Sequence, residues 1–191
     1  MSPRPSDGGF PASMRVVDSH TEGEPTRVVV EGWPLPAGAT MAARRDELRA
    51  RFDHLRTAVV CEPRGHDALV GALLTPPVHA ESASGVVFFN NVGYLGMCGH
   101  GLIGVVRTLE LLGRVGPGRV ALDTPVGTVS ADLGGDGAVT VANVPAFLHA
   151  RDVTVDVPGH GRVKGDVAWG GNWFFLMQEH GETLDLAHVD R

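Results

Sequence analysis

The sequence predicts a mixed α/β (α+β) fold, a strand-rich barrel around one buried central helix. Three observations carry this reading. The 191 residues include 26 Gly and 13 Pro, too many for a helical bundle and suited to short strands joined by tight turns. Runs of β-branched and apolar residues recur at short intervals along the chain. One segment, Gly101 to Leu112, has instead the length of a helix and apolar residues on every side, through Leu102, Ile103, Val105, Val106, Leu109, Leu111 and Leu112. A helix without a polar face belongs in an interior, and many strands bury one helix by curling round it.

Residues 1–13 (MSPRPSDGGFPAS) hold few apolar side chains and read as a disordered leader ahead of Met14. MRVVDSH and TRVVVEGWP are strands, with a turn at Gly23-Glu24-Pro25. Thr40 is placed to cap a helix over MAARRDELRARFDHL, where Met41, Leu48, Phe52 and Leu55 fall near a 3.6-residue period and the charges take the other face. TAVVCEP, DALVGALLTPP and GVVFFNN read as three more strands. After the buried helix, Gly113 suits the left-handed position that ends it and Pro117 blocks continuation. Strand signals then resume in RVALDTP, GTVSADL, AVTVANVP, RDVTVDVP, GRVKGDVAW and NWFFLMQ, with Asp136-Gly137 as a hairpin turn.

Composition narrows the partners. The chain is 43% hydrophobic and 20% charged, a balance that buries a core and excludes disorder as the main state. Sixteen Lys+Arg against 22 Asp+Glu give a net charge of −6, so no nucleic acid and no anionic membrane is expected as a partner. Two cysteines, Cys61 and Cys98, make no disulfide framework, and a reducing cytoplasm is the expected compartment. No stretch reaches the roughly 18 apolar residues of a spanning helix, and the N-terminus lacks a signal-peptide layout. Neither GxxxxGK[ST] nor a GxGxxG between strand and helix occurs, which removes support for nucleotide chemistry.

Chemistry concentrates in Met97-Cys98-Gly99-His100-Gly101, where a loop enters the buried helix. Free N–H groups at a helix start bind anions, and the same positive end is expected to lower a thiol's pKa. Gly99 and Gly101, without Cβ atoms, let a carboxylate approach the backbone. A thiol beside a carboxylate cradle is equipment for moving a proton at the carbon next to that carboxylate. Positions two apart on a helix do not face each other, which argues against a Cys98–His100 nucleophile–base pair; His100 is better used to hydrogen-bond substrate. Cys61 reads as a mid-strand core residue. His20, His54, His66, His79, His149, His160, His180 and His188 show no two-His metal spacing with a nearby acid, so no metal is expected, and each reads as loop or surface, with His20 in a tight polar turn placed to line a cleft.

With these residues in view, the chain resembles the proline racemase family, and most closely its 4-hydroxyproline 2-epimerase branch. The matching stretches are RVVDSHTEGEPTRVV (Arg15 to Val29), EPRGHDALVGALL (Glu62 to Leu74), FFNNVGYLGMCGHGLIG (Phe88 to Gly104), DTPVGTV (Asp123 to Val129) and DVAWGGNWFFL (Asp166 to Leu176). The resemblance implies a diaminopimelate-epimerase-like fold, with two pseudo-symmetric barrel-and-helix domains and an active site between them. It implies an isomerase without cofactors, in which one cysteine takes the α-proton from one face of the substrate and a second delivers a proton to the other. Cys98 matches the first cysteine; Gly99 and His100 match substrate-binding positions. The second cysteine, in an SPCGTG-like motif, has no counterpart in these residues.

The division that follows is a leader over residues 1–13, an N-terminal epimerase-like domain over 14–145, and the first strands of a second domain over 146–191. The expected function is that of the N-terminal half of an enzyme interconverting trans-4-hydroxy-L-proline and cis-4-hydroxy-D-proline, a small-molecule substrate. Alternatives are half of a trans-3-hydroxy-L-proline dehydratase or proline racemase, or an inactive domain that binds small amino-acid carboxylates. A homodimer in which each copy contributes Cys98 is a further variant.

Overall fold

The structure, a computed structural model, describes residues 9–177 and 181, 183, 185 and 187. Most of the expected leader, residues 1–8, lies outside the described residues, as do His180 and His188. Within the leader's remainder, Phe10 stands edge-on to His54 with ring centroids 5.1 Å apart. The chain divides into two compact units, Met1–Val144 and Pro145–Arg191.

The first unit is built on one seven-stranded sheet whose strands lie in sequence order. They are β1 (Arg15–Thr21), β2 (Glu24–Glu31), β3 (Val70–Thr75), β4 (Ser84–Phe89), β5 (Gly118–Thr124), β6 (Gly127–Leu133) and β7 (Val139–Ala142). The pairs β2–β3 and β4–β5 are parallel and the rest antiparallel. Parallel neighbours need a crossover. The first carries α1 (Met41–Arg51) and α2 (Asp53–Val60); the second carries α3 (Gly99–Leu111). Because β3 and β4 are antiparallel, two crossovers of the same right hand leave the sheet on opposite faces.

Two separate cores result. On one face Val86, Phe88, Ala72 and Leu74 pack with Leu102, Val105, Val106 and Leu109 of α3. On the other Leu73, Val87 and Phe89 pack with Leu48, Phe52, Leu55, Val59 and Val60 of α1 and α2. Successive residues of β3 and β4 thus point to different cores, and both strands are buried at every position. Each fully buried aliphatic side chain on α3 contributes about 1.5–3 kcal/mol of transfer free energy. Helix α3 touches β1 and β2 at one edge and β6 and β7 at the other, so the sheet curls round it as a half-barrel. Among the described residues no pairing joins β1 to β7.

The end of α3 follows from the sequence. Gly113 sits at φ +67°, its N–H donating to the Glu110 carbonyl while that of Arg114 donates to Leu109. This is the paired closure that a left-handed residue after a helix makes. Helix α3 is less uniformly buried than its composition suggests, for Leu111 is 73% exposed at the last turn.

Three local expectations are corrected. TAVVCEP is not a strand: Thr57 to Val60 complete α2, and Cys61 is its C-cap, donating its backbone N–H to the Thr57 carbonyl at 3.0 Å. Tertiary burial overrides the β-branched propensity, because Leu55, Val59 and Val60 form one face against β3 and the second core. The helix expected over MAARRDELRARFDHL is two helices broken at Phe52 (φ −127°, ψ 17°), which is buried in that core. The first hairpin turns at Glu22-Gly23 rather than at Gly23-Glu24-Pro25. Both turn residues have positive φ (50° and 97°) and Thr21 pairs with Glu24, as in a two-residue turn whose twist matches the strands.

The second unit is a three-stranded antiparallel sheet ordered β10–β9–β8, from β8 (Phe147–Val157), β9 (Gly161–Trp169) and β10 (Trp173–Leu176). The register shifts twice along β8, between Leu148 and Ala150 and between Ala150 and Val153. Phe147, Trp169 and Trp173 gather at one end, with Trp173 5.2 Å from Trp169 and 6.0 Å from Phe147. No helix among the described residues is long and apolar enough to cross a membrane.

Candidate active site at the start of the central helix

Cys98 is the residue immediately before α3, with extended backbone (φ −143°, ψ 120°), and its carbonyl accepts the first helical bond from the Leu102 N–H at 2.9 Å. The amides of Gly99, His100 and Gly101 therefore stand at the helix start with no helical acceptor. Nothing lies within 4 Å of where a Cβ on Gly99 would be, so this side of the helix start is open. Gly101 is confined instead: a Cβ there would stand 3.0 Å from the Phe88 ring and 3.2 Å from the Cys98 sulfur. A side chain at 101 would displace one of them, so the sulfur's position depends on that glycine.

Cys98 and His100 do meet, against the expectation from helical spacing. Cys98 Sγ lies 3.6 Å from His100 Nδ1. The rule for residues two apart holds inside a helix, whereas Cys98 is an extended residue outside it, so its side chain swings back over the first turn. His100 Nε2 is buried and has no partner among the described residues.

Burial pushes the Cys98 thiol up from its ordinary value, the Gly101 N–H pulls it down, and the negative charge of Glu24 adds to the rise. The expected lowering by the helix start is thus outweighed by desolvation. At neutral pH the group rests as a thiol, and its nearest proton acceptor is the imidazole beside it.

Two structures hold this arrangement. The tip of the β1–β2 hairpin reaches α3, where the Thr21 hydroxyl donates to the His100 carbonyl at 3.4 Å; His20 Nδ1 accepts from the Gly23 N–H within the same tip. The loop leading from β4 to Cys98 is pinned from the opposite core. Buried Arg56 of α2 donates through Nη1 to the Asn90 carbonyl (2.7 Å) and the Asn91 carbonyl (2.9 Å), while Nε and Nη2 grip the Asp53 carboxylate. The Asn90 side chain closes the turn by accepting from the N–H groups of Val92 and Gly93. Thr21, Glu24 and Arg56 were not singled out from sequence; the polar DSHTEGEPT turn was the available signal for the first two.

Cys61 stands apart. It packs against the core of α1 and α2, whereas Cys98 packs against that of α3, on the other face of the sheet. The two thiols cannot flank one small molecule.

A second polar cluster lies away from Cys98. Asp123, 1% exposed, accepts from the N–H groups of Val78 and His79, the Ser82 and Thr128 hydroxyls and the His79 ring. Burial alone would raise this carboxyl, but the donors from His79, Thr128 and Ser82 hold it well below the usual carboxylate range. The bond to Asp123 raises the His79 pKa. A histidine raised in the fold stabilises fully below its unfolded pKa of about 6.5 and ceases to as pH rises through its folded value; a depressed carboxylate stabilises fully above about 3.9 and is lost on acidification. The pair is therefore worth most between roughly pH 4 and 6.5. His79→Gln is expected to flatten the loss of stability from mildly acidic to mildly alkaline pH, measured by urea midpoints; an unchanged slope would refute this. Among the described residues no group of three or more potential ligands could hold a metal ion.

Comparison with known proteins places the chain in a family. The sequence family described as proline racemase matches residues 16–191. A 4-hydroxyproline 2-epimerase of Pseudomonas putida is 58% identical over 173 residues, covering 91% of this chain and 56% of the relative. A 4-hydroxyproline epimerase of Burkholderia pseudomallei is 61% identical over 171 residues, covering 90% and 55%. The chain spans about half the length of the curated relatives it matches. Among solved structures, a probable proline racemase of Agrobacterium radiobacter with bound carbonate superposes with a TM-score of 0.84 at 30% identity, covering 92% of this chain and 55% of that one. A hydroxyproline epimerase of Agrobacterium vitis with bound trans-4-hydroxy-L-proline gives 0.83 at 27%, covering 91% and 54%. On the extent of the sequence match and the shared half-barrel around α3, this chain belongs to the proline racemase family.

Proposed function

We propose that this chain supplies the N-terminal half of a 4-hydroxyproline 2-epimerase, with Cys98 as the thiol that exchanges a proton with the substrate's Cα. The carrying observation is the place of Cys98: a thiol beside an imidazole, at a helix start whose free amides face an open side at Gly99. A substrate carboxylate accepting from the Gly99 and His100 N–H groups brings its Cα toward the sulfur, and the same donors stabilise the negative charge that develops as the α-proton leaves. His100 Nδ1 takes the thiol proton; the resulting thiolate removes the α-proton, and the planar carbanion is reprotonated on the opposite face by a second acid. His100 Nε2, buried and unpartnered, is the donor left for a substrate oxygen. High identity to relatives named 4-hydroxyproline 2-epimerase supports hydroxyproline as the substrate. The division into an epimerase-like domain over 14–145 and the opening strands of a second over 146–191 belongs to the same reading, as does a cytoplasmic location.

The test is a chimera in which residues 16–191 replace the matching portion of the Pseudomonas putida relative. It should convert trans-4-hydroxy-L-proline into cis-4-hydroxy-D-proline, followed by chiral chromatography. A folded chimera that is inert, or that removes the hydroxyl, contradicts the reading. Inversion needs an acid and a base on opposite faces, and Cys61 lies across the sheet from Cys98. The 191 residues alone should therefore give no epimerised product; robust turnover by them, lost in Cys98→Ala, would overturn that expectation.

A further inference from the structure

We propose that His79, with Asp123 behind it, forms a second acid–base site in the first unit, one that takes small neutral esters and hydrolyses them through Nε2 of its ring. The site is separate from Cys98 and does not rest on the epimerase reading.

The pair has the geometry that frees one ring nitrogen for chemistry. An ionised Asp123 only accepts, so His79 Nδ1, 2.8 Å from Oδ1, is the N–H donor. That fixes the tautomer and leaves the Nε2 lone pair without a partner among the described residues. The carboxylate is itself locked. It also accepts from the Val78 and His79 N–H groups at 2.7 and 2.9 Å and from the Ser82 and Thr128 hydroxyls, each at 2.9 Å, so it cannot swing away from the ring. Those four donors close the turn without the imidazole, whose side chain is 55% exposed and adds little packing.

The ring borders a cavity of about 230 Å³, lined by His79 and Asp123 together with Met41, Ala42, Val78 and Pro125 among others; Cys98 is not part of its lining. Pockets for drug-sized molecules run to roughly 300–1,000 Å³, so this one suits a short acyl group. A neutral ring against an ionised Asp123 leaves one negative charge, and Glu81 adds a second beside the ring, which disfavours an anionic substrate. The bond to Asp123, and then the charges of Asp123 and Glu81, raise the ring's pKa and make Nε2 the stronger base once it is deprotonated. Met41 and Ala42 open α1, and their N–H groups, which have no helical acceptor, supply donors for a carbonyl oxygen.

In the reaction Nε2 adds to the acyl carbon, the C–O bond to the leaving group breaks with its electron pair, and an acylimidazolium forms whose Nδ1–H stays on Asp123. Water then attacks the acyl carbon, releasing the carboxylic acid and a proton and restoring the ring.

The full chain acting on p-nitrophenyl acetate tests this. With Cys61→Ser and Cys98→Ser removing both thiols, nitrophenolate release is followed at about pH 8, where the pair contributes less to stability than at acid pH, with and without His79→Gln. The ring is half exposed, so the substitution leaves the core intact. If all nine histidines reacted alike, losing one would remove about a ninth of the rate. His79→Gln should instead lower it at least about tenfold, short of the 10²–10⁴-fold of enclosed acid–base groups because the ring stands partly in water. The parent rate should rise with pH through an inflection above the ordinary histidine value of about 6.5. A loss of less than about tenfold overturns the proposal, as does an inflection at or below that value, or a parent rate no higher than that of an equal concentration of free imidazole.

Discussion

Cys98→Ser in the chimera is expected to lower turnover of trans-4-hydroxy-L-proline by about 10³-fold or more, with the fold unchanged. Positioned general acid–base groups contribute roughly 10²–10⁴-fold. Serine keeps the size of cysteine but its hydroxyl is far harder to ionise, and the His100 imidazole that can draw a proton from a thiol cannot draw one from it at neutral pH. The side chain is only partly buried at the edge of the α3 core, so melting temperature should change little. Steady-state kinetics with circular dichroism check both halves. A loss below tenfold would remove Cys98 from the chemistry.

Arg56→Ala should have the largest effect on stability. Arg56 is 6% exposed, and its guanidinium serves three partners, the Asp53 carboxylate and the carbonyls of Asn90 and Asn91. Asp53 is 45% exposed at its side chain and can recover hydration, whereas the carbonyls lose a charged donor. Charge-assisted bonds contribute about 1.5–3 kcal/mol each, and removing one partner of a buried pair costs 3–5 kcal/mol. The partial exposure of Asp53 places the expected loss near the lower end, about 3 kcal/mol. For a chain of this size that corresponds to a fall in Tm of roughly 6–12 °C. Arg56→Lys should restore less than half, since an ammonium cannot hold the carboxylate with two parallel bonds and both carbonyls at once. A shift under about 2 °C for Arg56→Ala would contradict this part.

The central features were legible because local pattern and tertiary structure agree there. Gly101 to Leu112 leaves almost no polar face, its polar residues being Arg107, Thr108 and Glu110, so burial inside a curled sheet follows from the residues alone, and Gly113 announces its end. Elsewhere the two conflict. Leu48, Phe52, Leu55 and Val59 continue one helical stripe, but the β-branched Thr57, Val59 and Val60 also satisfy a strand pattern, and only packing against β3 decides for α2. The break at Phe52 carries no Gly or Pro to mark it.

At the candidate site, the residues that the sequence singles out are Cys98, Gly99 and His100, through the glycine pattern at a helix entrance. It did not reveal that Cys98 faces His100, because helical spacing applies only to residues inside the helix and Cys98 precedes it. Nor did it reveal the sign of the thiol shift, which depends on how much water the core removes. Thr21, Glu24 and Arg56 arrive from distant segments, through hairpin register and an arginine that reaches from the opposite core.

Proton transfer at Cα is tested most directly by ¹H NMR of the chimera acting on trans-4-hydroxy-L-proline in D₂O. Deuterium from solvent should appear at Cα of the cis-D product as it forms, while the carbon bearing the hydroxyl keeps both its proton and its oxygen. Product that retains the original α-proton, or that has lost the hydroxyl, would contradict thiol-mediated epimerisation at Cys98.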